Sequence, residues 1–265
     1  MPKSTKRERQ RINREIRREA IRKAEQRRRT MRTVRNAVIA LVVVAVVFGV
    51  IKVLQGDNGS SAGAVTCESV PKSKGTPLTF STPPTMTVDT TKNYTAEMDT
   101  SCGKITFALD VGQYPVAVNN FVFLAQQKFY DGLDVSRVAK APPIFQAGSP
   151  TNDGVGGPGY TVAAEVATGT PPYPLGALAM AKSGSDPPGT AGSQFFVITG
   201  KKSGLDPDYA YVGTVVKGLD VAKKIASFLP TSGDGPPTTR VQITSVTISV
   251  SSGTTTTAPT TTLAP

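Results

Sequence analysis

The sequence runs Arg137-Val138, FQAGSP (145–150), GGPGY (156–160), LAMA (178–181) and GSQFF (192–196), and these five blocks are its most informative part. Each block alone is common, because Gly-rich turns and short apolar strands occur in many proteins. Five blocks in one order within a single segment indicate a specific fold rather than chance.

The residues around these blocks show strand and helix periodicity. Apolar and polar residues alternate in Tyr94–Met98 and Ile105–Leu109, on either side of a Cys-Gly turn, which is typical of an antiparallel hairpin. Pro115 is well placed to begin a helix, since apolar residues follow it at helical spacing. Many strands with two helices predict a mainly β fold, a closed antiparallel barrel capped at its ends. Further strand-like runs lie at 195–199, 211–216 and 241–250, and a second short helix carries Leu219, Ala222 and Ile225.

From Tyr94 to about Val250, the blocks and their spacing resemble the cyclophilin family of peptidyl-prolyl isomerases. The resemblance implies an eight-stranded antiparallel barrel closed by two α-helices. It also implies an enzyme without metal or cofactor, whose partners are proline-containing polypeptides. Lowering the rotation barrier of an X-Pro bond requires an apolar pocket, oriented donors and a cation near the prolyl nitrogen, but no nucleophile.

The resemblance also implies roles for particular residues. Arg137 matches the catalytic Arg of the family, and Gln146 and Gln194 match the two amide side chains that hydrogen-bond the substrate backbone. Phe196 matches the aromatic floor of the proline pocket, and Ala181 matches the segment that pairs with an extended peptide. Without the resemblance, each would be interpreted as an ordinary strand or surface residue. The complete set of expected substrate-binding residues is Ile144, Phe145, Gln146, Ala181, Lys182, Gln194, Phe196, Leu205 and Tyr209.

The sequence departs from the family pattern close to the expected pocket. One extra residue between Arg137 and Gln146 leaves Pro143 where the family has a pocket Phe, so Phe145 would have to turn into the pocket. Val135-Ser136 also stand before Arg137 in place of a Phe-His pair. Other departures are Ile144 for Met, Lys182 for Asn, Gly204 for Trp and Tyr209 for His.

These departures leave two functions of different classes open. The first is an isomerase that assists the folding of exported or envelope proteins. The second is a cyclophilin-like peptide-binding or chaperone module with little catalytic activity. Retention of Arg137, Gln146, Gln194 and Phe196 favours the enzyme, whereas Pro143 favours the binding module.

The composition excludes several other chemistries. The 265 residues include no His, which removes Ser-His-Asp and Cys-His catalysis and His-ligated zinc. Two Cys are too few for a zinc site made of thiolates alone. Gly154–Gly159 matches the dinucleotide pattern GxGxxG, but Pro158 has no N–H and no amphipathic helix follows, so nucleotide binding is not expected.

The N-terminal part of the chain predicts a membrane anchor. Residues 1–35 carry fifteen Lys or Arg against four acidic residues, and an apolar run at 36–54 follows, with one charge, Lys52. Such a run can cross a membrane as a single helix, with the basic arm in the cytoplasm and the following domain outside. A cleaved signal peptide is the alternative for the apolar run. Nucleic-acid binding by the arm is less favoured, because the arm has no aromatic interleaving and no recognised motif.

The remaining segments are predicted to be a linker and a tail. Residues 55–93 are rich in Gly, Ser, Thr and Pro and predict an extracytoplasmic linker before the domain at 94–250. Residues 251–265 predict a disordered Thr/Pro-rich tail. Outside the cytoplasm, Cys67 and Cys102 are expected to form a disulfide, with two unpaired thiols as the alternative. The sequence does not indicate an oligomeric state.

Overall fold

A computed structural model describes residues 65–70 and 78–252 of the chain. The predicted basic arm, the apolar run at 36–54 and most of the Thr/Pro-rich tail lie outside the described residues. Within the described ranges, no helix has both the length and the apolar composition needed to cross a membrane.

Eleven strands and two helices make up the described part of the chain. The first half contains β1 (Lys92–Thr100), β2 (Gly103–Leu109), α1 (Pro115–Gln126), β3 (Val135–Lys140), β4 (Pro143–Ala147) and β5 (Val162–Ala163). The second half contains β6 (Ala177–Met180), β7 (Thr190–Ala191), β8 (Phe195–Ile198), β9 (Tyr211–Lys217), α2 (Leu219–Ala226), β10 (Asp234–Gly235) and β11 (Ile243–Ser252).

Nine of these strands form one antiparallel sheet in the order β10-β3-β4-β8-β6-β9-β2-β1-β11, and β5 pairs with β7 separately. The fold is thus mainly β with two helices, as predicted. The ladder has two end strands, β10 and β11, and does not form the closed ring of eight strands that the sequence led us to expect. Residues preceding β3 and β11 nevertheless meet, because Asp134 and Gln242 form an isolated bridge and the Ile243 N–H donates to the Leu133 carbonyl at 2.8 Å.

The β1–β2 hairpin forms because its apolar residues alternate in register. Met98 lies opposite Ile105 and Ala96 lies opposite Phe107, and all four side chains are buried. Alternate residues of a strand point to opposite faces, so these pairs direct one face of the hairpin into the core.

Helix α1 covers one side of this core. Pro115 begins the helix, and its buried residues include Val118 and Phe121. The carboxylate of Glu165 accepts hydrogen bonds from the Val116 and Ala117 N–H groups at 3.0 and 3.1 Å. A side chain distant in sequence therefore satisfies backbone donors that the first turn of a helix leaves unpaired.

The N-terminal segment is fastened to the domain at two places. Cys67 is joined to Cys102 by a disulfide, and the Glu68 N–H donates to the Ser101 carbonyl at 2.7 Å. Residues 78–91, here called the strap, then pack against α1. Asn119 accepts a hydrogen bond from the Thr87 N–H at 2.8 Å. The part of the predicted linker that the structure describes is therefore packed against the domain.

Candidate active site

Neighbouring strands bring the candidate catalytic residues together. In the β3–β4–β8 ladder, Arg137 lies opposite Gln146, and Gln146 lies opposite Phe196. The β3–β4 register shifts between Val135 and Arg137. Such bulges redirect the side chains that follow them, and this one immediately precedes Arg137.

A cavity of about 270 Å³ lies beside these strands, with an apolar floor and a polar rim. Phe196 forms the floor and is 3% exposed. The Tyr209 ring meets it edge-on, with centroids 5.1 Å apart and planes at 87°. An apolar floor of this kind can accept a small apolar side chain, and the polar rim can orient the attached backbone. The lining residues are Arg137, Pro142, Ile144, Gln146, Ala181, Lys182, Phe196, Leu205 and Tyr209.

Tyr173 supports the aromatic floor from behind. Its ring lies 6.2 Å from that of Phe196, and its hydroxyl donates to the Tyr209 carbonyl at 2.6 Å and accepts from the Tyr209 N–H at 2.8 Å. Burial raises the pKa of Tyr173 to about 12. The hydroxyl therefore stays protonated near neutral pH and holds the backbone of Tyr209 in place.

Arg137 is held by a carboxylate outside the cavity. Its Nε and Nη2 donate to Asp234 Oδ1 and Oδ2, each at 2.6 Å, and Nη1 donates to Gln146 Oε1 at 3.3 Å. The hydrogen bonds to Asp234 raise the pKa of Arg137, and the same bonds lower the pKa of Asp234. Both groups are therefore charged across the ordinary pH range.

The hydrogen bonds continue from Arg137 along the rim. Gln146 Nε2 donates to Gln194 Oε1 at 2.9 Å. Gln194 Nε2 donates to the carbonyls of Gly154 and Gly156 at 3.1 and 2.9 Å. A directed chain of donors thus links the guanidinium to residues 154–160, here called the Gly-rich loop.

The Gly-rich loop forms one wall of a second cavity of about 720 Å³. Gln146, Ala181 and Lys182 line both cavities, so the two adjoin. The Ala181 N–H already donates to the Gln194 carbonyl at 2.8 Å. Together the two adjoining cavities form one continuous groove.

The strap contacts this loop, and none of its residues lines the larger cavity. The Phe80 N–H donates to the Pro158 carbonyl at 2.8 Å, and the Phe80 ring lies 6.4 Å from that of Tyr160. A Cβ placed on Gly159 would lie 2.6 Å from the Phe80 carbonyl oxygen, so only Gly allows this close approach. The GxGxxG match is therefore part of the groove wall, and β5 rather than a helix follows it.

Lys182 is buried at the junction of the two cavities. Its side chain is 4% exposed, and Nζ lies 2.7 Å from Asp208 Oδ2 and donates to the Asp186 carbonyl at 3.0 Å. Nζ also lies 5.6 Å from the centre of the Tyr209 ring. The Lys182 ammonium group is therefore paired within the protein, and it holds together the residues at the junction of the two cavities.

The structure brings together most of the residues expected at the site. Eight of them line the smaller cavity, and Gln194 lines the larger one. Phe145 is the exception, because it is fully buried in the main core, opposite Val138 and Val197. It belongs to the face of β4 opposite that of Ile144 and Gln146, so it cannot turn into the pocket as we expected. Pro142 occupies the cavity edge instead.

Some site residues gave no signal that sequence reasoning could use. Asp234 is 97 residues from Arg137, and Tyr173 is 36 residues from Tyr209. Pro142 lines the smaller cavity, whereas only its neighbour Pro143 was considered from the sequence. Residues 156–160 of the Gly-rich loop are one of the five blocks that carry the resemblance, but the hydrogen bond from Gln194 to the Gly156 carbonyl was not predicted. Within the described ranges, no three His, Cys, Asp or Glu side chains are grouped as metal ligands.

The mainly β fold thus carries a groove with a cationic rim and an aromatic floor. The sequence profile described as "Cyclophilin type peptidyl-prolyl cis-trans isomerase/CLD" matches residues 95–248. The chain therefore belongs to the cyclophilin family.

Several named relatives are similar to this chain. A "Probable peptidyl-prolyl cis-trans isomerase B" of Mycobacterium tuberculosis is 41% identical over 165 residues, covering 56% of this chain and 52% of the relative. "Peptidyl-prolyl cis-trans isomerase B" of Bacillus subtilis is 39% identical over 124 residues, covering 47% and 84%. A crystal structure of a Cryptosporidium parvum cyclophilin type isomerase aligns with a TM-score of 0.51 and 25% identity, covering 59% of this chain and 98% of that one. The match spans about half the length of the isomerase B relatives from Mycobacterium tuberculosis and Mycobacterium leprae.

Proposed function

We propose that this chain accelerates the cis–trans isomerisation of X-Pro peptide bonds. The observation that carries the proposal is the position of Arg137, whose guanidinium lies with Gln146 at the rim of a cavity with Phe196 at its apolar floor. Rotation about a peptide bond has a barrier of about 18–20 kcal/mol, because the nitrogen lone pair is delocalised into the carbonyl. A site that favours the twisted amide over the planar one lowers this barrier.

Each part of the site has a role in this mechanism. The proline ring enters the smaller cavity against Phe196, and the chain before the proline extends along the larger cavity. As the bond twists, the lone pair becomes localised on the prolyl nitrogen, and Arg137 donates a hydrogen bond to it. Gln146 and Gln194 hold the flanking amides. The substrate gains and loses no atoms, so no nucleophile or proton acceptor is needed.

The test is an exchange measurement on a proline-containing tetrapeptide with the purified full-length chain in detergent. Uncatalysed exchange takes roughly 10–100 s at 25 °C, and catalytic amounts of the protein should shorten it severalfold in NMR exchange spectra. A tetrapeptide with Ala in place of Pro is the matched ligand control and should not bind. Exchange at the uncatalysed rate in the presence of the folded protein would disprove the isomerase function.

A second candidate function is a peptide-binding module with little catalytic activity. The observation that favours it is the bidentate pair with Asp234, which neutralises part of the charge that Arg137 offers to a substrate. Such a module would bind the proline tetrapeptide without accelerating its exchange. Titration and exchange on the same sample therefore distinguish the two functions.

We further propose that the protein acts outside the cytoplasm, on exported or envelope polypeptides, while held to the membrane by residues 36–54. The support is the contrast between the basic residues 1–35 and the apolar run that follows them. The disulfide agrees with an oxidising location. Protease added to intact cells or spheroplasts should remove the isomerase domain and spare residues 1–35. Protection of the domain would overturn this location.

A further inference from the structure

Asp234 is fixed relative to β3 by its own backbone. It lies opposite Ala139 in the short β10–β3 ladder, and the Lys140 N–H donates to the Gly233 carbonyl at 3.0 Å. The preceding turn is closed by a hydrogen bond from the Gly233 N–H to the Pro230 carbonyl at 2.8 Å. The carboxylate is therefore presented to Arg137 from a position set by the sheet.

The pairing leaves one edge of the guanidinium for the groove. Asp234 accepts from Nε and Nη2, and Nη1 is directed to Gln146. Asp234 does not line the smaller cavity, whereas Arg137 and Gln146 do. An Arg side chain has many rotamers, and a bidentate carboxylate selects those in which the planar fork has one orientation.

The pair is too exposed to serve mainly as a support for the fold. The side chains of Arg137 and Asp234 are 35% and 47% exposed, and ion pairs of this exposure contribute little to stability. Its geometry is nonetheless specific, because Nε and Nη2 each donate a hydrogen bond of 2.6 Å to a different carboxylate oxygen. Orientation of the guanidinium is the property that the pair determines.

Building on the isomerase function proposed above, we infer that Asp234 is a positioning residue for catalysis, whose carboxylate fixes Arg137 so that Nη1 faces Gln146 and the smaller cavity. Two effects of the carboxylate oppose each other. It orients the cation, and it also weakens the field of that cation. Orientation dominates, because a hydrogen bond to the twisted amide requires a donor at a fixed place.

The test is a double-mutant cycle in the full-length chain. Asp234→Ala should lower kcat/KM about tenfold, mostly through kcat. The reason is that a misplaced Arg137 loses a hydrogen bond that is made only in the transition state. The same substitution should have no further effect in an Arg137→Ala background. Asp234→Asn keeps one acceptor oxygen and should lose less, on the order of threefold. Glu97→Ala, which breaks an exposed pair with Lys104 on the β1–β2 hairpin, is the matched control and should leave kcat/KM unchanged.

A second readout follows the Arg137 Nε–H directly. In ¹⁵N–¹H spectra this proton should exchange slowly with water in the wild type and rapidly in Asp234→Ala. The positioning role would be overturned if Asp234→Ala kept the kcat/KM of the wild type. It would also be overturned if Asp234→Ala lowered kcat/KM equally in the wild-type and Arg137→Ala backgrounds and lowered the melting temperature. An inactive wild type would instead overturn the isomerase function. In that case slow Nε–H exchange that persists in Asp234→Ala would still overturn the positioning of Arg137.

Discussion

Two cations, Arg137 and Lys182, line the smaller cavity. Lys182 is buried and paired with Asp208, so Arg137→Ala removes the cation that can reach a substrate. Loss of one preorganised donor at a developing charge typically costs about 2.7–4 kcal/mol of transition-state stabilisation, which is a factor of about 10² to 10³ in kcat/KM. Asp234 already offsets part of the charge, so we expect the lower end, a fall of about 10².

The fold should tolerate this substitution. Arg137 is 35% exposed on its side chain, and the carboxylate of Asp234, at 47%, can be hydrated once its partner is gone. Breaking such a pair costs about 0–1 kcal/mol, which corresponds to a change in melting temperature of less than about 4 °C for a domain of this size. Activity and stability should therefore separate.

The assay is exchange spectroscopy on the proline tetrapeptide, with thermal unfolding followed on the same samples. Arg137→Lys is the matched control, because it keeps the charge but loses the fork that spans Asp234 and Gln146, and its kcat/KM should fall between the other two. If the wild type is active and Arg137→Ala retains its kcat/KM with an unchanged melting temperature, Arg137 is not the catalytic residue.

Three other outcomes can be measured. Replacing Cys67 and Cys102 with Ser should lower the free energy of unfolding in urea by about 3–4 kcal/mol, because the bridge closes a loop with a sequence separation of 35; an unchanged value would contradict this. Phe196→Ala should cost about 3 kcal/mol of stability and also weaken binding of the proline tetrapeptide in calorimetry, since it enlarges the cavity floor; tight binding by this variant would place the proline elsewhere. The chain has no His. In the folded protein the pKa of Asp234 lies below its ordinary value of 3.8, so the pair with Arg137 is present above pH 3.8 and is lost only when the pH falls through that lowered pKa. The profile of kcat/KM should therefore be flat from about pH 5 to 8, and a titration step near neutrality would refute this.

The sequence was most informative where function and strand pairing coincide. The blocks containing Arg137, Gln146 and Phe196 belong to three adjacent strands, so recognising their order also predicted their convergence. The hairpin and the two helices followed from periodicity, and their bounds agree with the structure to within a few residues.

Phe145 shows how a correct strand can still be misread. Ile144 and Gln146 were both expected at the groove, and the residue between two such positions in a strand must point to the opposite face. The alternation therefore contained the correct placement of Phe145. The error arose because the family has a pocket Phe where this chain has Pro143, and Phe145 was taken as its replacement.

Other features depend on contacts that local sequence does not reveal. Asp234 reaches Arg137 only because β10 pairs with β3, and a two-residue strand has no periodicity to detect. The strap has a linker-like composition, and Phe80 is the aromatic residue that fastens it to Phe123 and Tyr160. The route of the strap is set by these long-range packing contacts.

The disulfide also determines how mechanical load passes through the molecule. A pulling force applied to the chain before Cys67 passes through the covalent bridge to Cys102. Residues 68–101 therefore do not carry this force, and they are called here the slack branch. The strap and its hydrogen bond from Phe80 to the groove wall are on that slack branch. With the bridge intact, this hydrogen bond does not carry the load. With the bridge reduced, the same pull would run through Phe80 to Pro158 and strain the wall against which a peptide must lie.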